Sequence, residues 1–170
     1  MEKSEFDALL LKTAFACMAC DGHIDKSEVN FIIKIHSENK IFGDIDIKQA
    51  MENLLVSINN DGHKFLRDYF TVLSTSYLSE KEELKIIEAA INTIKADEKI
   101  EYSEIKFFKV IRSKLKIDNN TILNLHPDFE EYLEQDIISE SYLASLQNDF
   151  FESNKLPEFE LTSLIDNNKN

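Results

Sequence analysis

The chain has 170 residues, 43% of them hydrophobic, and it contains only three glycines and two prolines. So few turn-forming residues argue against an all-β or loop-rich protein, and no stretch approaches the ~18 uncharged apolar residues that a membrane-spanning helix needs. The formal charge is −13, and no basic patch of the size that nucleic acids or anionic membranes require is visible, so binding to either is not expected.

The spacing of the apolar residues is helical along most of the chain. It predicts six helices, at about 3–20, 26–38, 45–59, 63–77, 80–96 and 102–115. Ser79 and Glu82 predict a capping box at the start of the fifth helix. Residues 69–77 are rich in β-branched and aromatic side chains, but a lone strand would have no partner, so this segment is predicted helical. Short polar loops favour antiparallel neighbours, and the predicted fold is an all-α bundle of about six to eight helices.

The acidic residues are concentrated in the last third of the chain. Residues 1–117 carry 17 Lys/Arg and 20 Asp/Glu, a net charge of −3, whereas residues 118–170 carry 2 and 12, a net charge of −10. We therefore divide the chain into a helical domain, residues 1–117, and an acidic C-terminal extension, residues 118–170. The negative electrostatic potential of such a segment attracts cations or basic protein surfaces.

The acidic extension is predicted to be partly helical. Leu123–Leu133 reads as a turn followed by a short helix, 142–150 has the spacing of a further helix, and 166–170 is expected to be disordered. Apolar side chains among the acids make this segment too hydrophobic for a pure spacer; they are Phe150, Phe151, Leu156, Phe159 and Leu161. We expect them to dock on the helical domain or on a protein partner.

Two acidic turns repeat at an offset of 76 residues. Residues 21–28, with the sequence DGHIDKSE, align without a gap with residues 97–104, with the sequence DEKIEYSE. The match extends outward, for example from Leu10 to Ile86 and from Ala14 to Ala90. Each copy reads as a helix, a tight acidic turn and a second helix, which predicts duplicated helical hairpins related by a pseudo-twofold repeat.

Helix capping explains the first turn better than the second. In the first copy, Gly22 suits the end of one helix, and Asp25 with Glu28 suits the start of the next. In the second copy Glu98 replaces the glycine, and Glu101 is a poor N-cap. These replacements keep the negative charge and lose the turn chemistry, which indicates that the charge itself is needed.

The repeated turn carries a resemblance to a known family. The motif is an Ala-rich helix, then Asp-Gly-x-Ile, then a glutamate four residues after the Ile, in two copies. Here it reads Ala14–Ala19, Asp21, Gly22, Ile24 and Glu28, and again Ala89-Ala90, Asp97, Ile100 and Glu104. This pattern resembles the TerB family, named for tellurite resistance, and its relatives at the N-terminus of a DnaJ-like membrane co-chaperone. The resemblance covers about residues 5–117, and Glu98 departs from it.

The resemblance implies an all-helical module without established catalysis, found in stress-response and phage-defence gene sets, with an acidic surface suited to metal. The sequence hypothesis is a divalent-cation site, for Ca²⁺ or Mg²⁺, because hard cations prefer several carboxylate oxygens. The candidate ligands are Asp21, Asp25, Glu28, Asp97, Glu101 and Glu104. The alternatives are caps on a solvated acidic surface, a metal-dependent hydrolase using the same acids, and a metal-free structural adaptor.

The remaining reactive residue types do not form a catalytic pattern in the sequence. Cys17 and Cys20 form a CxxC near the end of an apolar helix, where the helix dipole opposes a thiolate, so core packing is the expected role. His23 is a further candidate ligand, and the other histidines have no defensible catalytic partner. The absence of such a catalytic pattern predicts a non-enzymatic binding protein. The two cysteines and the absence of a signal-peptide pattern at residues 1–5 predict a cytoplasmic location.

Overall fold

The computed structural model describes residues 1–20, 24, 26–96 and 102–133, and all regular elements within these ranges are helical. The helices are α1 Lys3–Met18, α2 Lys26–Asn39, α3 Ile47–Asn60, α4 Gly62–Thr75, α5 Glu80–Ile94, α6 Tyr102–Ser113, α7 Asn119–Leu125 and α8 Glu130–Leu133, with a 3₁₀ turn at Pro127–Phe129. The all-α prediction is confirmed, and the six predicted helices agree within two residues at each end. The segment that also suited a strand is helical as far as Thr75.

Several helices begin at side-chain caps that the sequence supplies. The predicted capping box at α5 is present, because the backbone N–H of Ser79 donates to Glu82 Oε2 at 2.7 Å and the Glu82 N–H donates to Ser79 Oγ at 3.4 Å. Asp46, Asp61 and Asp118 likewise accept backbone N–H groups at the starts of α3, α4 and α7. The proposed caps at Gly22, Asp25 and Glu101 lie outside the described residues.

Helix α1 lies at the centre of the bundle and packs against α3, α4, α5 and α6. The sequence predicts one apolar face, but every residue from Thr13 to Cys20 is buried. A helix that is apolar on all sides is surrounded by other elements. The end of α1, which leads into the first acidic turn, is therefore part of the core.

The helices that flank the first acidic turn and those that flank the second are separated by the same offset of 76 residues as the turns themselves. A shift of 76 residues carries Lys3–Met18 onto 79–94, where α5 lies, and Lys26–Asn39 onto 102–115, where α6 lies. The helical hairpins thus match in extent, and the pseudo-twofold relation between them stays a prediction.

The hydrophobic core continues past residue 117. Ile122, Phe129, Tyr132 and Leu133 are all at most 7% exposed and belong to the same core as the preceding helices. We call residues 118–133 the strap, because it packs across α5 and α6. The start of the predicted extension therefore lies on the helical domain, whereas the helix predicted at 142–150 and the disordered end predicted at 166–170 lie outside the described residues.

Polar contacts between the strap and α5 accompany this burial. Lys95 Nζ lies 2.8 Å from Asp128 Oδ2, and the same ammonium lies 4.9 Å from the centre of the Phe129 ring. His126 Nε2 lies 2.6 Å from Glu88 Oε1, and its ring stacks on Phe129 at 4.6 Å. These contacts fix the register of the strap along α5.

Candidate functional site

Two of the six candidate acidic ligands are described by the structure. Glu28 lies in the first turn of α2 and Glu104 in the first turn of α6, at equivalent positions of the two repeats. The other four lie outside the described residues; they are Asp21, Asp25, Asp97 and Glu101. Ile24, between the first two of these, is partly buried against the core.

Both described acids are buried, with Glu28 6% exposed and Glu104 7% exposed. The expectation that the cluster lies on a solvated surface is therefore wrong for these two side chains. Helix geometry gives the reason, since residues four apart share a face. Glu28 shares a face with Ile32, Glu104 shares one with Phe108, and both hydrophobic residues are fully buried.

Both buried glutamates affect the pKa of one thiol near the end of α1. Burial raises the pKa of the Cys17 thiol far above its usual range, and the negative charges of Glu104 and then Glu28 raise it further. A carboxylate has this effect only from nearby, because the interaction falls with distance and is screened. The first turns of α2 and α6 therefore both contribute to the electrostatic environment of Cys17.

A buried hydrogen-bonded pair lies one helical turn before this thiol. Tyr69 Oη donates to Thr13 Oγ1 at 3.0 Å, and Thr13 Oγ1 donates to the Leu9 carbonyl oxygen at 3.0 Å. Burial raises the pKa of Tyr69 well above its usual value, and nearby Cys17 adds to the shift. A polar row thus runs along α1 from Thr13 to Cys17, and both its thiol and its phenol stay protonated near neutral pH.

This environment predicts that the thiols are unreactive in the folded protein. Cys17 and Cys20 form no disulfide, and they are 1% and 4% exposed. Because the thiolate is the reactive species, the raised pKa of Cys17 and the burial of both side chains predict no alkylation by iodoacetamide at pH 8. Two alkyl groups should be added in denaturant, as measured by intact mass. Rapid labelling of the folded chain would contradict this prediction and would favour a redox role for the CxxC.

The donor chemistry of the buried pair fits a hard divalent cation in part. Ca²⁺ takes six to eight oxygen ligands, and two glutamates supply a minority of them. Within the described ranges, no group of three or more His, Cys, Asp or Glu side chains is arranged to hold a metal. The rest of a coordination sphere would fall to Asp21, Asp25, Asp97, Glu101 and water. His23, the other candidate ligand, lies outside the described residues.

The structure adds a buried acid that the sequence interpretation missed. Glu83 is 6% exposed, and its Oε2 accepts the backbone N–H groups of Lys116 at 2.8 Å and Ile117 at 2.5 Å. Its spacing could have predicted its burial, since Glu83 lies on the same apolar face of α5 as Ile87 and Ala90. Glu83 joins the start of α5 to the link between α6 and α7, so its role is structural.

Comparisons with protein families, with curated proteins and with solved structures give no match to this chain. The resemblance to TerB thus rests on the repeated turn motif alone. None of the helices in the described part of the chain is long and apolar enough to cross a membrane.

Proposed function

We propose that this chain is a non-catalytic binding module of the TerB type that acts in the cytoplasm in stress response or phage defence. Its paired acidic turns bind a divalent cation, Ca²⁺ or Mg²⁺, and its acidic extension binds a protein partner. The observation that carries the proposal is that Glu28 and Glu104 occupy equivalent first-turn positions in the two repeats and are both buried.

The charge of the repeated turns supports a cation there. Like charges that lie close together repel each other, and this repulsion opposes the folding of an acidic turn. The four acids of the turns flank the helix starts that carry Glu28 and Glu104, so the repeat concentrates negative charge there. A divalent cation lowers this repulsion and supplies a reason for keeping charge in the second turn, where the capping chemistry is lost.

The chemistry of the core favours binding over catalysis. The charges of Glu104 and Glu28 act on the Cys17 thiol, and the raised pKa of this thiol keeps it protonated. Protonated thiols are poor nucleophiles, and burial also withholds this one from a substrate. The buried glutamates therefore act on the fold and on a bound ion.

The test is the thermal stability of the full chain with and without divalent cations. A ligand that binds only the folded state adds RT ln(1 + [L]/Kd), about 2.7 kcal/mol at 100 Kd. Millimolar Ca²⁺ or Mg²⁺ should then raise the melting temperature by several degrees, since about 2–4 °C follow from each kcal/mol at this size. NaCl at matched ionic strength measures simple screening and should raise the melting temperature less.

Matched variants separate a bound ion from general charge effects. Asp21→Asn with Asp97→Asn removes two candidate ligands and retains capping ability, because Asn is also a good cap. Glu38→Gln with Asp44→Asn removes two exposed acids elsewhere. The response to divalent cations should disappear in the first pair and persist in the second. An equal response to NaCl, or an unchanged response in the first pair, would contradict the proposal and leave only caps on an acidic surface.

A further inference from the structure

Tyr132 carries a buried hydroxyl group that the fold itself leaves unused. The side chain is 2% exposed, and its buried Oη atom makes no hydrogen bond of normal geometry within the described part of the chain. The buried phenol of Tyr69 differs, because its Oη donates to Thr13 Oγ1 at 3.0 Å. A buried polar group without a partner is costly, and native structures rarely keep one without a functional reason. The hydroxyl of Tyr132 therefore calls for an acceptor in a state in which the protein acts.

The Tyr132 side chain lies beside the second acidic turn. Its ring centre is 5.3 Å from Lys95 Nζ, and Lys95 lies two residues before Asp97, where this turn begins. On the other side of the turn, in α6, the Phe108 ring meets the Tyr132 ring edge-on at 6.1 Å. Phe108 follows Glu104 by one helical turn and lies on the same face of α6. The strap thus packs against both helices that the second acidic turn connects.

Glu104 is the buried carboxylate in the surroundings of this hydroxyl. Burial raises the pKa of Tyr132 to about 12, and three carboxylates add to the shift, so the phenol stays protonated and can donate. These carboxylates belong to Glu131, Asp128 and Glu104. The first two are exposed to water, and Asp128 Oδ2 also lies 2.8 Å from Lys95 Nζ. Glu104 is 7% exposed, and a carboxylate accepts several hydrogen bonds at once, so it is the acceptor that gains most from the phenol.

We propose that Tyr132 is a positioning residue of the cation site, whose hydroxyl group donates to the Glu104 carboxylate when the second acidic turn holds Ca²⁺ or Mg²⁺. This inference rests on the cation binding proposed above. Carboxylates that ligate a metal are themselves held by hydrogen bonds, and loss of such a donor weakens metal binding by about 10–100-fold. Val56, which lies 76 residues before Tyr132, is 45% exposed. The equivalent position of the first repeat thus offers no phenol, and the strap makes the two turns unequal.

The test is the Ca²⁺ affinity of the full-length chain in which one buried phenol is changed to phenylalanine. Tyr132→Phe keeps the ring, and it should raise the Kd for Ca²⁺ in isothermal titration calorimetry by about 10–100-fold. Without cations this variant should melt at nearly the wild-type temperature, because no hydrogen bond is lost. Tyr69→Phe is the matched control. It breaks the bond to Thr13, so it should lower the cation-free melting temperature and leave the Kd unchanged.

The outcomes separate this inference from the proposed function. An unchanged Kd in Tyr132→Phe would overturn the role of Tyr132 and leave cation binding intact. A cation-free melting temperature that falls as far as in Tyr69→Phe would also overturn it, because the hydroxyl would then already have its partner. A wild-type chain that does not bind Ca²⁺ or Mg²⁺ would instead contradict the proposed function, and this inference with it.

A double-mutant cycle tests whether Tyr132 acts through Glu104. Once Glu104→Gln has removed the charged acceptor, adding Tyr132→Phe should change the Kd little further. The equivalent acid of the first repeat gives the control, since adding Tyr132→Phe to Glu28→Gln should still raise the Kd by about 10–100-fold. Equal effects in both backgrounds would overturn the assignment to Glu104. If Glu104→Gln does not fold or bind, the two single phenylalanine variants still decide the question.

Discussion

A chain that ends at Ile117 is expected to lose cooperative folding, whereas a chain that ends at Leu133 should keep it. The shorter chain lacks the strap and its four buried side chains, Ile122, Phe129, Tyr132 and Leu133. Burial of such side chains stabilises by about 1.5–3 kcal/mol each, or about 6–12 kcal/mol in total, which is an upper bound. A whole domain is stable by about 5–15 kcal/mol, so this loss is comparable with the total.

Urea denaturation followed by far-ultraviolet circular dichroism measures the difference between the two chains. The chain ending at Leu133 should unfold in one transition near that of the full protein. The chain ending at Ile117 should show a broad transition at much lower urea, or none. A sharp transition at nearly unchanged urea concentration would mean that the strap adds little to the core.

Replacement of Glu83 by alanine is expected to have the next largest effect. It leaves the backbone N–H groups of Lys116 and Ile117 without their carboxylate acceptor, and each unsatisfied buried group costs about 1–3 kcal/mol. The half-buried Arg112 also loses a stabilising negative charge, since Glu83 opposes the effect by which burial lowers the pKa of Arg112. We expect a loss of about 2–6 kcal/mol in the free energy of unfolding.

Two further variants serve as controls for the destabilisation caused by Glu83→Ala. Glu83→Gln keeps one acceptor oxygen and loses the charge, so its destabilisation should be intermediate. Glu80→Ala removes an exposed acid from the same helical turn and should cost only a few tenths of a kcal/mol through the helix dipole. Equal effects at Glu80 and Glu83 would show that the charge of the helix start matters, rather than the buried acceptor.

The helices were predictable from the sequence because their apolar residues recur with a period near 3.6 over a dozen residues or more. In residues 69–77 the two signals disagree, because the local composition favours a strand whereas the spacing of the apolar residues favours a helix. The structure there is helical because Tyr69, Phe70 and Leu73 fall on one buried face of α4. Long-range packing follows the period of the pattern more closely than it follows intrinsic preference.

The depth of the acids and of α1 was harder to predict. A carboxylate is normally a surface group, so Glu28 and Glu104 suggest caps on a solvated turn when they are considered singly. The feature that predicts their burial is their spacing, since each lies four residues before a buried hydrophobic residue, Ile32 or Phe108. Similarly, the apolar residues of α1 suggest one buried face in the sequence, and its burial on all sides depends on four helices that follow at large sequence separation.

The central position of α1 also affects synthesis of the protein on the ribosome. Helix α1 packs against α5, which is translated roughly 60 residues later. At 5–20 residues per second, the nascent chain carries its most apolar helix incompletely covered for about 3–12 s. The residues that make α1 the centre of the finished protein are therefore expected to make the emerging chain prone to aggregation until α5 has been made.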